Sequence, residues 1–382
     1  MIVIDRGDLV SQLLNYMDDR LDDVILLKIS DVDYPTSINL LQLANHNKDV
    51  VIGEIVRLLN LLSSERLSDR MILLLRRALR ALLFSPTSTL ADVESFFFNS
   101  RFREQILTQV QDEEVRYFWK EHYPKDEKIF RSSVDGIITR LEQIVADPMA
   151  RNILCQKETR VPIHELANGA RNLILLLDLN AESKISPLVA ELIARVVLII
   201  IHGLALSRPL QSGRPIFLFL DEVQTYLEPF TLAEILVRGA KYGLHLCCAF
   251  QYLNQVGDFW QGIEGNVGSI FSFTCGADDA KRLSKSFPGI EQMEFVKLPR
   301  FNLWARVNDD EGTYCFKVKT LPPPEVTTDF SWQIIQQSRQ RYALPRAEVE
   351  AAFKRERHTV VEEKKASAKS VEGFEERLDP LF

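Results

Sequence analysis

Asp221 and Glu222 stand side by side at the end of the run PIFLFLDEVQTY, residues 215–226. Two carboxylates at the tip of an apolar strand suit phosphoryl transfer: the first can hold Mg²⁺ through water, the second can act as base toward an attacking water. About thirty residues later a second apolar run, LCCAFQYLNQ, ends in Gln251. A glutamine at the tip of the neighbouring strand can sense a terminal phosphate or position a water. Each feature has a plainer alternative, since an acid often simply closes a strand and most exposed glutamines are only solvated. The pairing makes them informative.

The acids need strands to carry them. MIVID and DVILLKIS read as buried strands flanking a helix in DLVSQLLNYMDD. Strands return at 171–180, 215–221, 244–250 and 269–276, each with four or more consecutive apolar or small residues, as strands buried on both faces require. Stretches of helical length separate them at 186–206, 229–241, 254–264 and 277–287. This alternation predicts an α/β fold with a mostly parallel, doubly wound sheet. Between about 48 and 150 the apolar residues recur instead at three and four, in DRMILLLRRALRALLFS, TLADVESFFF and VDGIITRLEQIVAD, and predict four or five helices interrupting the sheet. The expected organisation is a first α/β part at 1–47, an all-α insertion at 48–155, a second α/β part at 156–326, and a tail at 327–382, helical at first and then charged and disordered.

Composition narrows the classes. The 382 residues carry 46 basic and 53 acidic side chains, a net charge of −7, which argues against a nucleic-acid coat while leaving room for a local basic channel. The five cysteines form no CxxC pair and the six histidines no ligand spacing, so reduced, buried thiols in a cytoplasmic protein are expected, without zinc or a disulfide framework. MIVIDRGDLV reaches charge by its fifth residue, so no secretory leader is expected. The longest apolar run, 192–206, is interrupted by Arg195 and His202 and predicts a buried helix rather than a membrane span.

The run from ALSRP through GRPIFLFLDEVQTYLEPFTLAEILVRGAKYGLHLCCAFQYLNQV and on to IEGNVGSIFSFTCGADDAKRLSKSF resembles the ATPase domain of type IV secretion and conjugative coupling proteins, in the HerA/FtsK-like branch of RecA-fold motors. VIDRGDLV and DVDYPTSINLL support the resemblance upstream, and the helical insertion falls where such proteins carry one. The resemblance implies a RecA-like sheet and a hexameric, ATP-driven motor acting on DNA or protein–DNA substrates, with other chains forming the membrane channel. It implies a cytoplasmic location at the periphery of the inner membrane. By position, Asp221 would hold Mg²⁺, Glu222 would activate water and Gln251 would be the sensor, while Asp5 and Asp8 match the acidic turn on the nucleotide side.

One half of such a site is missing. No G-x-x-x-x-G-K-[ST] run occurs in the chain, and the nearest glycine cluster, GIEGNVGS at 262–269, has no lysine in position and reads as a helix-to-strand turn. The family's loop lies upstream of the segment matching VIDRGDLV. Ala240 precedes Lys241 where the family commonly has an Arg-Lys pair, Thr274 stands where it commonly has arginine, and the DRGD turn is one residue shorter and lacks a proline. ATP and Mg²⁺ are therefore the implied cofactors, yet hydrolysis by this chain alone is not expected. A truncated gene product, a motor split over two polypeptides, and an inactive assembly subunit all fit. Without the phosphate-loop strand the sheet should have a gap, an exposed edge or an altered order, and an exposed apolar edge invites pairing with another chain. Arg66, Arg70 and Arg77 share one predicted helical stripe that could meet phosphates, against the plainer reading of a solvated face.

Overall fold

The computed structural model describes residues 1–42, 48–63, 65–168, 173–180, 185–206, 208–209, 214–226, 229–257, 260–326 and 328–355. The charged tail expected to be disordered lies outside them from residue 356 onward.

The chain opens with β1 (Ile2–Asp5), α1 (Leu9–Leu13) and β2 (Val24–Lys28). Helices α2 (Lys48–Leu61), α3 (Asp69–Leu82), α4 (Asp92–Phe98), α5 (Ser100–Gln109), α6 (Glu113–Tyr117), α7 (Tyr123–Val145) and α8 (Pro148–Leu154) follow. This is more than the four or five helices expected. Asn99 breaks α4 from α5 and caps the latter through a bond from the Phe102 amide, and a π turn at Phe118–His122 links α6 to α7. Short polar caps of this kind subdivide a continuous apolar periodicity. Ser68 caps α3 by accepting from the Met71 amide at 3.3 Å. The C-terminal carbonyls of α4 are met by a buried guanidinium, Arg103, which donates to Phe96 at 3.0 Å and Phe97 at 2.8 Å.

The α/β part resumes with α9 (Ile163–Asn168), β3 (Ile174–Asp178), α10 (Pro187–Leu206), β4 (Ile216–Leu220), α11 (Pro229–Gly239) and β5 (Leu244–Cys248). Strands β1 to β5 form one parallel sheet in the order β2-β3-β1-β4-β5. Chain order and sheet order differ because the helical insertion separates β2 from β3, and β3 returns to pair with both β2 and β1. Helix α10 is largely apolar, with Glu191, Arg195 and His202 among its 20 residues, and is mostly buried against the insertion and α9. A single continuous core runs from the insertion helices into the sheet.

Further elements are α12 (Trp260–Glu264), β6 (Ser269–Ser272), α13 (Ala277–Ser286), α14 (Gln292–Val296), β7 (Asn302–Asp309), β8 (Gly312–Lys319) and α15 (Ser331–Tyr342). Here the structure departs from the sequence expectation. Strand β6, anticipated as a further parallel strand, pairs antiparallel with β7, which pairs antiparallel with β8. Local apolar content cannot distinguish the two pairings, and the β7–β8 hairpin alternates too weakly to announce itself. Helix α15 folds back onto β2, where the Ser338 hydroxyl accepts from the Leu26 amide at 3.1 Å and Arg339 grips Asp31 through two bonds of 2.7 and 2.9 Å.

The insertion is held by an aromatic cluster. Trp119 is buried edge-on to Phe96 at 4.8 Å and Phe118 at 5.1 Å, with Tyr123 at 4.7 Å, and its indole N–H donates to the Arg77 carbonyl. Trp119→Ala is expected to cost about 3–5 kcal/mol, read as a lowered midpoint in chemical denaturation.

Candidate functional site

The carboxyl ends of β1, β4 and β5 bring the sequence-predicted residues together. Asp5 ends β1 and is fully buried; its two oxygens accept from the amides of Gly7 at 2.9 Å and Val10 at 3.2 Å. Neighbouring Asp178 ends β3 in register with it, 4.0 Å from the Lys28 ammonium. On the other side the Asp221 amide donates to the Ile4 carbonyl at 3.1 Å, which extends the β1–β4 ladder and sets Asp221 beside Asp5. Tyr226 locks this junction from below: its buried hydroxyl donates to the carbonyls of Asp221 and, at 3.3 Å, of Ile4.

Burial raises the Asp221 carboxyl above the usual range, and the nearby Asp5 and Glu222 charges and a hydrogen bond with Asp5 add to the effect. A carboxylate crowded by like charges recovers its charge when a cation is present, so Asp221 is the side chain here that would hold a hard divalent ion. Tyr226 is pushed up for related reasons, first by burial and then by Asp221, Asp5 and Glu222, and stays protonated as a donor.

Glu222 occupies the left-handed region, with φ of 47° and ψ of 45°, which a side-chain-bearing residue rarely adopts. This turn aims its carboxylate across to β5, where Gln251 donates from Nε2 to Glu222 Oε1 at 3.0 Å. Gln251 is itself fixed, its amide donating to Gln255 Oε1 at 2.8 Å. The base-like acid and the sensor-like amide are thus joined directly, a link that no spacing rule in the sequence reveals. Asp8 sits apart: it is exposed at the start of α1 and accepts from Gln12 at 2.8 Å, with no bond to the other acids among the described residues.

The arginine stripe is not continuous. Arg66 lies before α3 rather than on it, because the Ser68 cap starts the helix later than expected. Arg70 is exposed on the first turn of α3, whereas Arg77 is half-buried with its guanidinium 4.1 Å from the Phe118 ring centroid. Of the departures, Ala240 and Lys241 are exposed just ahead of β5, at the amino end of the parallel sheet and away from the acids, and Thr274 is exposed beyond β6, donating to the Val296 carbonyl.

No family model matches the chain, and no curated protein matches it by sequence. Solved structures do. The plasmid coupling protein TrwB in complex with the ATP analogue ADPNP superposes with a TM-score of 0.59 at 13% identity, over 86% of this chain and 80% of that one. The same protein with ADP and Mg²⁺ gives 0.58 at 14% identity over the same shares. The chain has the coupling-protein fold. VirB4 of Thermoanaerobacter pseudethanolicus gives 0.56 at 13% identity, over 85% of this chain and 82% of that one.

The side chains fit the metal half of an ATP–Mg²⁺ site and not the phosphate half. Asp221 would offer a hard oxygen ligand to Mg²⁺, an ion that keeps several of its waters. The turn carrying Gly262, Gly265 and Gly268 has open space at two of these glycines but brings no lysine. No hydrolytic step follows for the chain by itself.

Two outcomes are expected. The folded chain holds the Asp221 proton more tightly than the unfolded chain, so stability falls as pH rises from the ordinary carboxylate range through the raised value. Asp221→Asn should therefore be the more stable protein at pH 7, with the difference closing below about pH 4; denaturation midpoints across that range would show it. Glu222→Gly should relieve the left-handed backbone and stabilise by about 1 kcal/mol, measured the same way, while Glu222→Val destabilises.

Proposed function

We propose that this chain supplies the metal-and-sensor half of a coupling-protein-like, nucleotide-driven motor of conjugation or type IV secretion. The observation that carries the reading is the Gln251–Glu222 bond at 3.0 Å beside a desolvated Asp221, at the carboxyl end of a parallel sheet. Asp221 holds Mg²⁺ through water, Glu222 orients and deprotonates a water, and Gln251 reports on the group that Glu222 faces. Asp5 braces the Asp221 carboxyl from β1, and Asp8 lines the outer mouth. The fold shared with TrwB, solved with ADP and Mg²⁺ and with ADPNP, supports a nucleotide as the ligand class.

A motor of this type works as a ring, with DNA or a protein–DNA complex as cargo and the membrane channel built by other chains, which puts it on the cytoplasmic side of the inner membrane. Arg66 and Arg70, exposed beside the insertion, are the side chains of the predicted stripe free to meet cargo phosphates, with Arg77 contributing only its edge. The insertion at 48–155, set into the α/β parts at 1–47 and 156–326, would then be the cargo-side unit, and 327–382 the tail. The absence of a phosphate-holding loop from the sequence also favours a second reading, an inactive subunit that keeps the fold for assembly.

Calorimetry with ATP separates the two. The motor reading expects binding that requires Mg²⁺, weak at about 1 mM, and lost in Asp221→Ala. Binding that ignores Mg²⁺, or survives Asp221→Ala unchanged, supports the assembly reading and overturns the first.

A further inference from the structure

The three-stranded antiparallel sheet has two faces of different kinds. Registered partners place Phe271, Ala305 and Phe316 in one row across β6-β7-β8, and Ser269, Val307 and Tyr314 in the row toward the hairpin turn. In the row toward the start of β7, Leu303 pairs with Val318, and Phe273 follows Phe271 just past β6. The reverse face carries Ile270, Arg306 and Cys315 in one row and Ser272, Trp304 and Lys317 in the next. This more polar face is the one packed inward. Ile270, Trp304 and Cys315 lie against the main core, and the buried Arg306 reaches Glu264 at 3.4 Å and the Ser286 carbonyl at 3.2 Å.

The apolar face is bare. Phe271 is 60% exposed, Phe273 50%, Phe316 46% and Tyr314 45%. Leu303 and Ala305, on the central strand, are buried but join neither hydrophobic core among the described residues, so the patch is a separate apolar surface. A contiguous aromatic surface of this kind marks an interaction site. Its two ends carry opposite charge. Asp309 ends β7, and Asp310 and Glu311 form the exposed turn that follows. Lys297 and Arg300 are exposed just before β7, where Phe301 is 55% exposed with the Arg300 guanidinium 4.8 Å from its ring centroid. Along β7 the face thus runs from basic through aromatic to acidic.

We propose that this face docks a second copy of the chain about a two-fold axis lying along the row Phe271–Ala305–Phe316. Rotation about that axis lays face on face, with the strands of the two sheets running in opposite directions. The charge pattern selects this arrangement. The basic end of each copy meets the acidic end of the other, whereas strands running the same way would set like charges together. Bulk is complementary as well: Phe273 falls opposite the partner's Ser269, and Tyr314 opposite the partner's Val318. The rings of Phe271, Phe273, Phe301, Tyr314 and Phe316, half-exposed and of about 200 Å² each, offer roughly 500 Å² per copy. Two copies together reach the roughly 1,000 Å² that a specific interface needs. A head-to-tail ring joins two different surfaces, so this self-paired contact is additional to any ring and independent of the nucleotide reading.

Sedimentation equilibrium of the 382-residue chain without nucleotide tests this. It should show a monomer–dimer equilibrium with a Kd on the order of micromolar, weakened at least about tenfold by Phe271→Glu or Phe316→Glu. Both positions are exposed, and unchanged thermal melts would certify that the variants fold. Arg300→Glu and Asp310→Arg should each weaken self-association, because each sets like charges across the interface. Mixed one to one, these two variants should form a heterodimer that restores the affinity, since both ends then pair opposite charges. A chain that stays monomeric well above that Kd overturns the proposal, whether residues 356–382 or a different protein covers the face. So does a dimer indifferent to both glutamates, or one whose affinity mixing fails to restore. An assembly of more than two copies that Phe316→Glu dissociates also overturns it, since the face would then meet a different surface. Loss of the nucleotide reading leaves each of these outcomes unchanged.

Discussion

The acid cluster depends on where one ladder ends. The Asp221 amide reaches the Ile4 carbonyl at 3.1 Å, one residue beyond β4, and that bond holds Asp221 level with Asp5. A slip of one residue would send Asp221 to the opposite face and bury a charged side chain beneath the helices. Tyr226 guards the register by holding both carbonyls of the junction with one hydroxyl. The apolar strands supply the energy of the sheet, and this junction supplies its precision.

Much of the sheet was legible from sequence because β1, β2 and β3 are buried on both faces and read as unbroken apolar runs. β4 was legible for a less secure reason. Its burial alternates, with Phe217 and Phe219 exposed, so the apolar run that marks it as doubly covered describes a face left bare in the chain alone. The order of strands was not legible, since pairing of β3 between β2 and β1 joins segments on either side of the long helical insertion. Strand β6 looked like its parallel predecessors, and only its partner β7 decides its direction.

The site was legible as a set of residues but not as a geometry. Residue types at strand ends pointed to Asp5, Asp221, Glu222 and Gln251, because a parallel sheet gathers its carboxyl ends on one side. The left-handed turn at Glu222 that makes its bond to Gln251 has no local signature, as glycine rather than glutamate is the usual residue there. Asp8 and Arg66 have the expected type at the expected spacing but a different setting: Asp8 is engaged with Gln12, and Arg66 precedes the cap that starts its helix.

Helix α10 carries a consequence for how the chain is made. An 18-residue stretch within its 20 residues has a mean hydropathy of 2.2, enough in length and composition to cross a membrane, yet most of that stretch is buried inside the protein. Three of the elements that enclose it, α2, α8 and α9, precede it in the chain. A ribosome therefore delivers this segment after much of its binding groove has been synthesised, and early folding of those helices competes directly with capture by the machinery that inserts apolar segments into lipid.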